Sequence, residues 1–184
     1  LGWYQLFSEN DFRCDTHIPD KPFRRGKKPA DFALMAEIML APVVSGDLPL
    51  LEEWFKDAET AARLGGMLPL KEFLESIKDK EGRENWLAYE DETPVGYAAL
   101  EPYADGTAVM AVLARPDMRR KGYGHRIVEA VLSEARQSGV RTVNGYIESD
   151  NTVCARTLAK AGFSQASGPD EDGFFTYTVE LAGK

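Results

Sequence analysis

Histidine and cysteine are almost missing from this chain, with two of each among 184 residues. The cysteines, Cys14 and Cys154, are too few and too far apart in sequence to suggest a disulfide framework or a metal site, so a reducing cytoplasm is the default compartment. Cations are in the minority as well. Lys and Arg number 22 against 30 Asp and Glu, for a formal net charge of -8, the wrong sign for gripping phosphate backbones, so nucleic acid is not an expected partner. Acidity for solubility and a preference for cationic substrates both fit that charge. No apolar run reaches membrane-spanning length and no signal-peptide pattern is present, so no membrane association is expected.

What is present is a globular balance, 43% hydrophobic and 28% charged, enough for one domain with a substantial core plus an extension. Residues 1–32 form that extension. The chain opens on Leu1 rather than Met, as expected of a processed or cloned fragment. Five cations between Lys21 and Lys28, interrupted by Pro22 and Gly26, favour a solvated linker over a basic docking segment. The folded domain is expected over residues 33–184.

Ala33 to Leu40 is apolar enough for a first strand that Pro42 ends, and Ser45 or Asp47 opens a helix whose Leu50, Leu51, Trp54 and Phe55 form a stripe. Gly65-Gly66 separates it from a second amphipathic helix, Leu70 to Lys78, with Phe73, Leu74 and Ile77 inward. Asn85 to Glu90 and Pro94 to Tyr103 read as strands joined by the turn Asp91-Glu92-Thr93, and Ala104-Asp105-Gly106 turns the chain into a third hairpin strand. After Gly139, Val140 to Glu148 is a strand reached through a helix, which makes it parallel to its predecessor. A helix over Asn151 to Ala161, a short strand Phe163 to Ala166 and a last strand Phe174 to Leu181 complete an α/β (α+β) domain with a mixed, mostly antiparallel sheet and flanking helices.

The chain is organised around Ala108 to Ala135. Ala108 to Leu113 is continuously apolar, as in a strand buried on both faces. Pro116 ends it, and Arg119 to Gly124 then puts three cations and two glycines into six positions. Ile127, Val131 and Ala135 fall in one helical row, Val128 and Leu132 in the next. The order is strand, glycine-rich turn, helix start. Bare amides of a helix start, approached over Gly122 and Gly124 and flanked by Arg119, Arg120 and Lys121, form a pyrophosphate cradle. Neither the Walker pattern nor G-x-G-x-x-G fits this R-x-x-G-x-G turn.

Arg119, Gly122 and Gly124 resemble the acyl-CoA loop of the GNAT N-acetyltransferase family, Gln/Arg-x-x-Gly-x-Gly/Ala between the fourth strand and third helix. Asn151 to Phe163 resembles that family's second signature, an Asn-led helix closing on Gly-Phe. Leu1-Gly2-Trp3 also resembles a Gly-Phe end, which would make the extension the tail of a preceding sister domain. The resemblance implies a GNAT fold with splayed fourth and fifth strands and acetyl-CoA as acyl donor. It implies pantetheine on the backbone of Leu113 and Ala114, pyrophosphate on Arg119, Arg120, Lys121, Gly122, Tyr123 and Gly124, and contacts from His125 and Asn151, the last also a helix cap. The first two helices would wall the acceptor site, leaving Trp54, Phe55, Met67 and Phe73 as core or substrate-facing groups. Helical spacing favours core for Trp54 and Phe73.

Acetyl transfer from the thioester to an amine needs a base, because an amine of pKa about 10.4 is neutral in roughly one molecule in two thousand at pH 7. It also needs a donor for the developing oxyanion, assigned to the Leu113 N–H. Relatives commonly carry a glutamate on the fourth strand. Here the nearest carboxylates are Glu101 and Glu148, with Tyr103 and Tyr146 as polar neighbours. The tyrosine that usually protonates the leaving thiol is replaced by Leu158, a tolerable loss since a thiol of pKa about 8.5 leaves readily. Cys154 as a covalent nucleophile lacks a nearby histidine and reads more simply as a small buried residue. The leading expectation is direct N-acetyl transfer to a primary amine of a small molecule or peptide by a monomer or homodimer. The rival is a non-catalytic acetyl-CoA sensor of the same fold. The negative charge favours polyamine, aminoglycoside or lysine-like acceptors.

Overall fold

The structure, a computed structural model, describes residues 37–78 and 82–181. Its centre is a seven-stranded sheet of β1 (Ile38–Pro42), β2 (Glu84–Glu90), β3 (Thr93–Pro102), β4 (Thr107–Ala114), β5 (Thr142–Glu148), β6 (Ser164–Gln165) and β7 (Phe174–Glu180). The strand order is β1-β2-β3-β4-β5-β7-β6. Every neighbouring pair is antiparallel except β4 with β5. The helix α4 (Tyr123–Gln137) makes the crossover between those two, which is why they run parallel.

Helices cover both faces of the sheet, and this explains the unbroken apolar run of β4. On one face α4 and α5 (Thr152–Lys160) seat Ile127, Val128, Val131, Leu132 and Leu158 against Ala98, Met110, Val143 and Ile147. On the other, α1 (Leu48–Trp54), α2 (Ala58–Leu64) and α3 (Leu70–Lys78) pack Leu51, Trp54, Leu64 and Leu70 on Leu87, Tyr97 and Leu113. Each such aliphatic side chain, taken fully out of water, contributes about 1.5–3 kcal/mol before entropy is counted.

Several boundaries differ from the sequence reading. β1 begins at Ile38 rather than Ala33, with residues 33–36 outside those described, and Pro42 is its last residue. At the sheet edge a missing N–H costs no ladder bond. One expected helix up to Gly65 is two, because Asp57 restarts the chain as an N-cap whose carboxylate accepts from the Thr60 amide at 2.9 Å. β5 starts at Thr142 and β6 has only two residues. Trp54 and Phe55 are core, at 4% and 5% exposure. Phe73 is half-buried.

Candidate functional site

A 3-10 turn, Pro116–Met118, leads from β4 into the glycine loop. Gly122 is the N-cap of α4 at φ 87°, without a side-chain cap, and a Cβ there would meet nothing within 4 Å. The Arg126 amide bonds the Gly122 carbonyl at 3.3 Å. The three amides before it, of Tyr123, Gly124 and His125, stand at the positive end of the helix dipole with no acceptor inside the helix.

The three cations of the loop do different things. Arg120 and Lys121 are exposed, and Lys121 donates to the Asp117 carbonyl at 3.3 Å. Arg119 turns to α2, donating to Asp57 at 2.6 Å, to the Thr60 hydroxyl at 2.6 Å and to Glu59 at 3.0 Å. Its guanidinium therefore anchors a helix, a role that nothing in the loop's own letters indicates. The Tyr123 hydroxyl donates to Glu90, which also accepts from Arg126 at 2.7 Å. His125 keeps Nδ1 buried without a partner and Nε2 3.5 Å from Glu129. Open amides, an unobstructed glycine, two exposed cations and an orphaned imidazole nitrogen suit a diphosphate group.

Between β4 and β5 the sheet opens into a slot. Their pairing covers only Thr107 to Val109 against Thr142 to Asn144, although β4 continues to Ala114 and β5 to Glu148. Hydrogen-bond parity decides which groups face the slot. The Arg115 amide bonds Val95 and the Tyr103 amide bonds Thr107, both across the β3–β4 register that also pairs Leu113 with Tyr97. Odd-numbered β4 residues thus turn their backbone groups to β3, and even-numbered ones to β5. The assignment of the Leu113 N–H as oxyanion donor is corrected: that amide belongs to the β3–β4 ladder, while Val112 and Ala114 face the slot. Counting the alternation from the hairpin would have found this.

On the α1–α3 face, a cleft beside β4 is lined by Met67, Phe73, Ala99, Val109 and Ala111, together with two polar pairs. Arg83 pairs with Glu101, their side chains 5% and 18% exposed, and the buried Tyr97 hydroxyl donates to Asn85 at 2.6 Å. Burial lowers the Arg83 pKa and raises that of Tyr97. Glu101 is the register partner of Val109, the last β4 residue paired to β5, so it lies at the closed end of the slot. Glu148 lies at the open end, where Arg63 of α2 pairs with it and with Asp150. The two carboxylates singled out from sequence therefore sit at opposite ends, each held by an arginine that sequence reasoning did not identify.

Asn151 caps α5, its Oδ1 accepting from the Cys154 amide at 3.1 Å. Leu158 is core at 3% exposure. Burial pushes the Cys154 thiol up to about 11, far from the thiolate a nucleophile requires. Among the described residues no group of His, Cys, Asp and Glu is arranged to hold a metal ion, and no helix is long and apolar enough to cross a membrane.

Comparison with known proteins gives this geometry its context. Residues 48–163, from the start of α1 to just before β6, match the model of the acetyltransferase (GNAT) family. The chain belongs to that family. It is an acetyltransferase, and its acyl donor is acetyl-CoA. The acetyltransferase is 31% identical over 131 residues to the uncharacterized N-acetyltransferase YfmK of Bacillus subtilis (strain 168), an alignment covering 71% of this chain and 88% of that one. Its fold is similar to that of Campylobacter jejuni N-acetyltransferase PseH, solved with acetyl coenzyme A, at TM-score 0.63 and 15% identity over 79% of this chain and 99% of that one. It is also similar to spermidine N-acetyltransferase from Vibrio cholerae, solved with CoA and spermine, at TM-score 0.68 and 11% identity over 78% and 95%. The fold of the acetyltransferase is thus the GNAT fold, including the single parallel strand pair.

Proposed function

We propose that this acetyltransferase moves the acetyl group of acetyl-CoA to a primary amine by direct attack within a ternary complex. The observation that carries the reading is the slot: strands that part after Val109 and Asn144 lead directly to a helix start with open amides. The donor's diphosphate lies on the amides of Tyr123, Gly124 and His125, with Gly122 giving access and Arg120 and Lys121 adding charge. Its pantetheine arm adds to β4 as an extra strand on Val112 and Ala114. The arm runs from the loop toward the closed end, so the thioester comes level with the stretch from Met110 to Val112. The Val112 N–H is the donor for the carbonyl oxygen.

Acetyl-CoA supplies an acyl group activated as a thioester. Glu101, at that end of the slot, takes one proton from the bound ammonium, so that the nitrogen lone pair is free to form the C–N bond. The C–S bond breaks, and the second nitrogen proton goes to the departing thiolate. That thiolate leaves without an acid at the Leu158 position. Glu148, tied to Arg63, holds α2 over the open end of the slot. Calorimetry with acetyl-CoA and a thiol-release assay against an amine panel test the reading. Expected is saturable donor binding and turnover that Glu101→Gln reduces at least tenfold while Glu148→Gln changes it only a few-fold. Donor binding without turnover of any amine would favour a sensor, and equal effects of the two variants would remove the assignment of Glu101.

A further inference from the structure

Among the described residues the cleft beside β4 carries one carboxylate, where a polycation would need several. We infer that it takes a monoamine carried on an apolar, preferably aromatic, body, and that Phe73 and Met67 set this preference; the inference rests on the acetyl-transfer reading above. The cleft opens beside β4 at Val109 and Ala111, the level to which the slot brings the thioester. Across from these lie Phe73, half-buried on α3, and Met67, buried just before it. The walls include an aromatic ring and a polarizable thioether, groups that gain by covering apolar surface.

The polar groups of the cleft are committed to one another. Among the described residues, Glu101 is the one carboxylate lining it, and Arg83 holds that carboxylate. Tyr97 donates to Asn85. Arg83 takes Oε2 of Glu101, so one ammonium can be served by the other oxygen of that carboxylate. A second ammonium on the same molecule would leave water to face Phe73, Met67 and Arg83, an uncompensated desolvation. An acceptor bearing its own carboxylate would have to break the Arg83–Glu101 pair to be satisfied. The net charge of -8 over the whole chain is thus no guide to this cleft, and the inference reverses the polyamine preference that composition alone favours.

The test compares β-phenylethylamine, spermidine and phenylalanine as acceptors with acetyl-CoA. It also follows the binding of each by saturation-transfer NMR to the protein alone. Expected is a kcat/KM for β-phenylethylamine at least tenfold above either competitor, with matching NMR contacts to the phenyl ring. Phe73→Ala weakens apparent binding of the aromatic amine, raising its KM at least fivefold, Phe73→Leu restores most of it, and Phe73→Glu shifts the preference toward spermidine. A spermidine preference in the wild-type protein, a KM indifferent to Phe73→Ala, or absence of phenyl contacts overturns the inference. Acetyl-CoA that fails to bind while β-phenylethylamine still does overturns the donor reading instead and leaves the cleft assignment supported.

Discussion

Two glycines separate backbone strain from ligand access. Gly122 and Gly139 have φ of 87° and 83°, and neither would press a Cβ against anything within 4 Å. An alanine at either position therefore costs what a left-handed conformation costs an L-residue, about 1–2 kcal/mol. They differ in place: Gly122 opens the phosphate loop, and Gly139 follows the far end of α4. Gly122→Ala and Gly139→Ala should show similar losses in urea denaturation. Calorimetry should show acetyl-CoA affinity falling only for Gly122→Ala, by about fivefold, the equivalent of roughly one hydrogen bond. Equal affinities for both variants would place the diphosphate elsewhere. Sequence had already marked Gly122 through its neighbours. It could not mark the partners of Arg119, because Asp57 and Thr60 lie about sixty positions away and meet it only when α2 folds over the loop.

The helix α2 is tied at both ends. Arg119 of the loop holds its start, and Arg63 near its end reaches Glu148, the last residue of β5, and Asp150 beyond it, so this short helix spans the open end of the slot. Partly exposed ion pairs of this kind are individually weak, about 0–1 kcal/mol, and the four that two arginines make here act on one short helix. The Arg119 guanidinium, and then the Thr60 amide, hold the Asp57 carboxyl well down, from 3.8 to about 2. A depressed carboxyl pKa contributes stability that is present above the unfolded value and lost as pH falls through the folded one. Melting followed by circular dichroism should therefore find Asp57→Asn less stable than wild type at pH 7. The gap should hold down to about pH 4 and close between pH 4 and pH 2. A gap that stays constant to pH 2 would mean that this pair does not contribute through charge. Composition gave the helix but not its break, since a cap such as Asp57 looks like any surface aspartate until the turn around it is seen.

The described residues form a sheet clamped between two helical layers, one on each face. Gly96 marks the tightest point. A Cβ there would lie 2.3 Å from the Leu113 carbonyl oxygen and 2.5 Å from Ile127 Cδ1, one of them backbone and the other in a fully buried side chain. Gly96→Ala should cost roughly 1–3 kcal/mol in denaturant unfolding, as overpacking does, and acetyl-CoA affinity should drop with it because Leu113 lies on the slot strand. Gly46→Ala, with nothing within 4 Å, is the matched control and should change neither.

The local order strand, bare glycine turn, helix was legible in the letters because each step has a nearby cause: an apolar run, Pro116, two glycines and a 3.6-residue period. So were the hairpins and the parallel crossover, marked by their turns and the intervening helix, and the Asn151 cap, whose partner lies three residues along the chain. What folding alone settled is whatever depends on distant chain segments meeting. That includes the turning of Arg119 toward α2, the placement of Glu101 and Glu148 at opposite ends of the slot, and the pairing of Arg83 within the cleft. The exchange of Leu113 for Val112 as the amide facing the slot belongs with these, because strand parity is set by a hydrogen-bonding partner on the neighbouring strand and not by the residue itself.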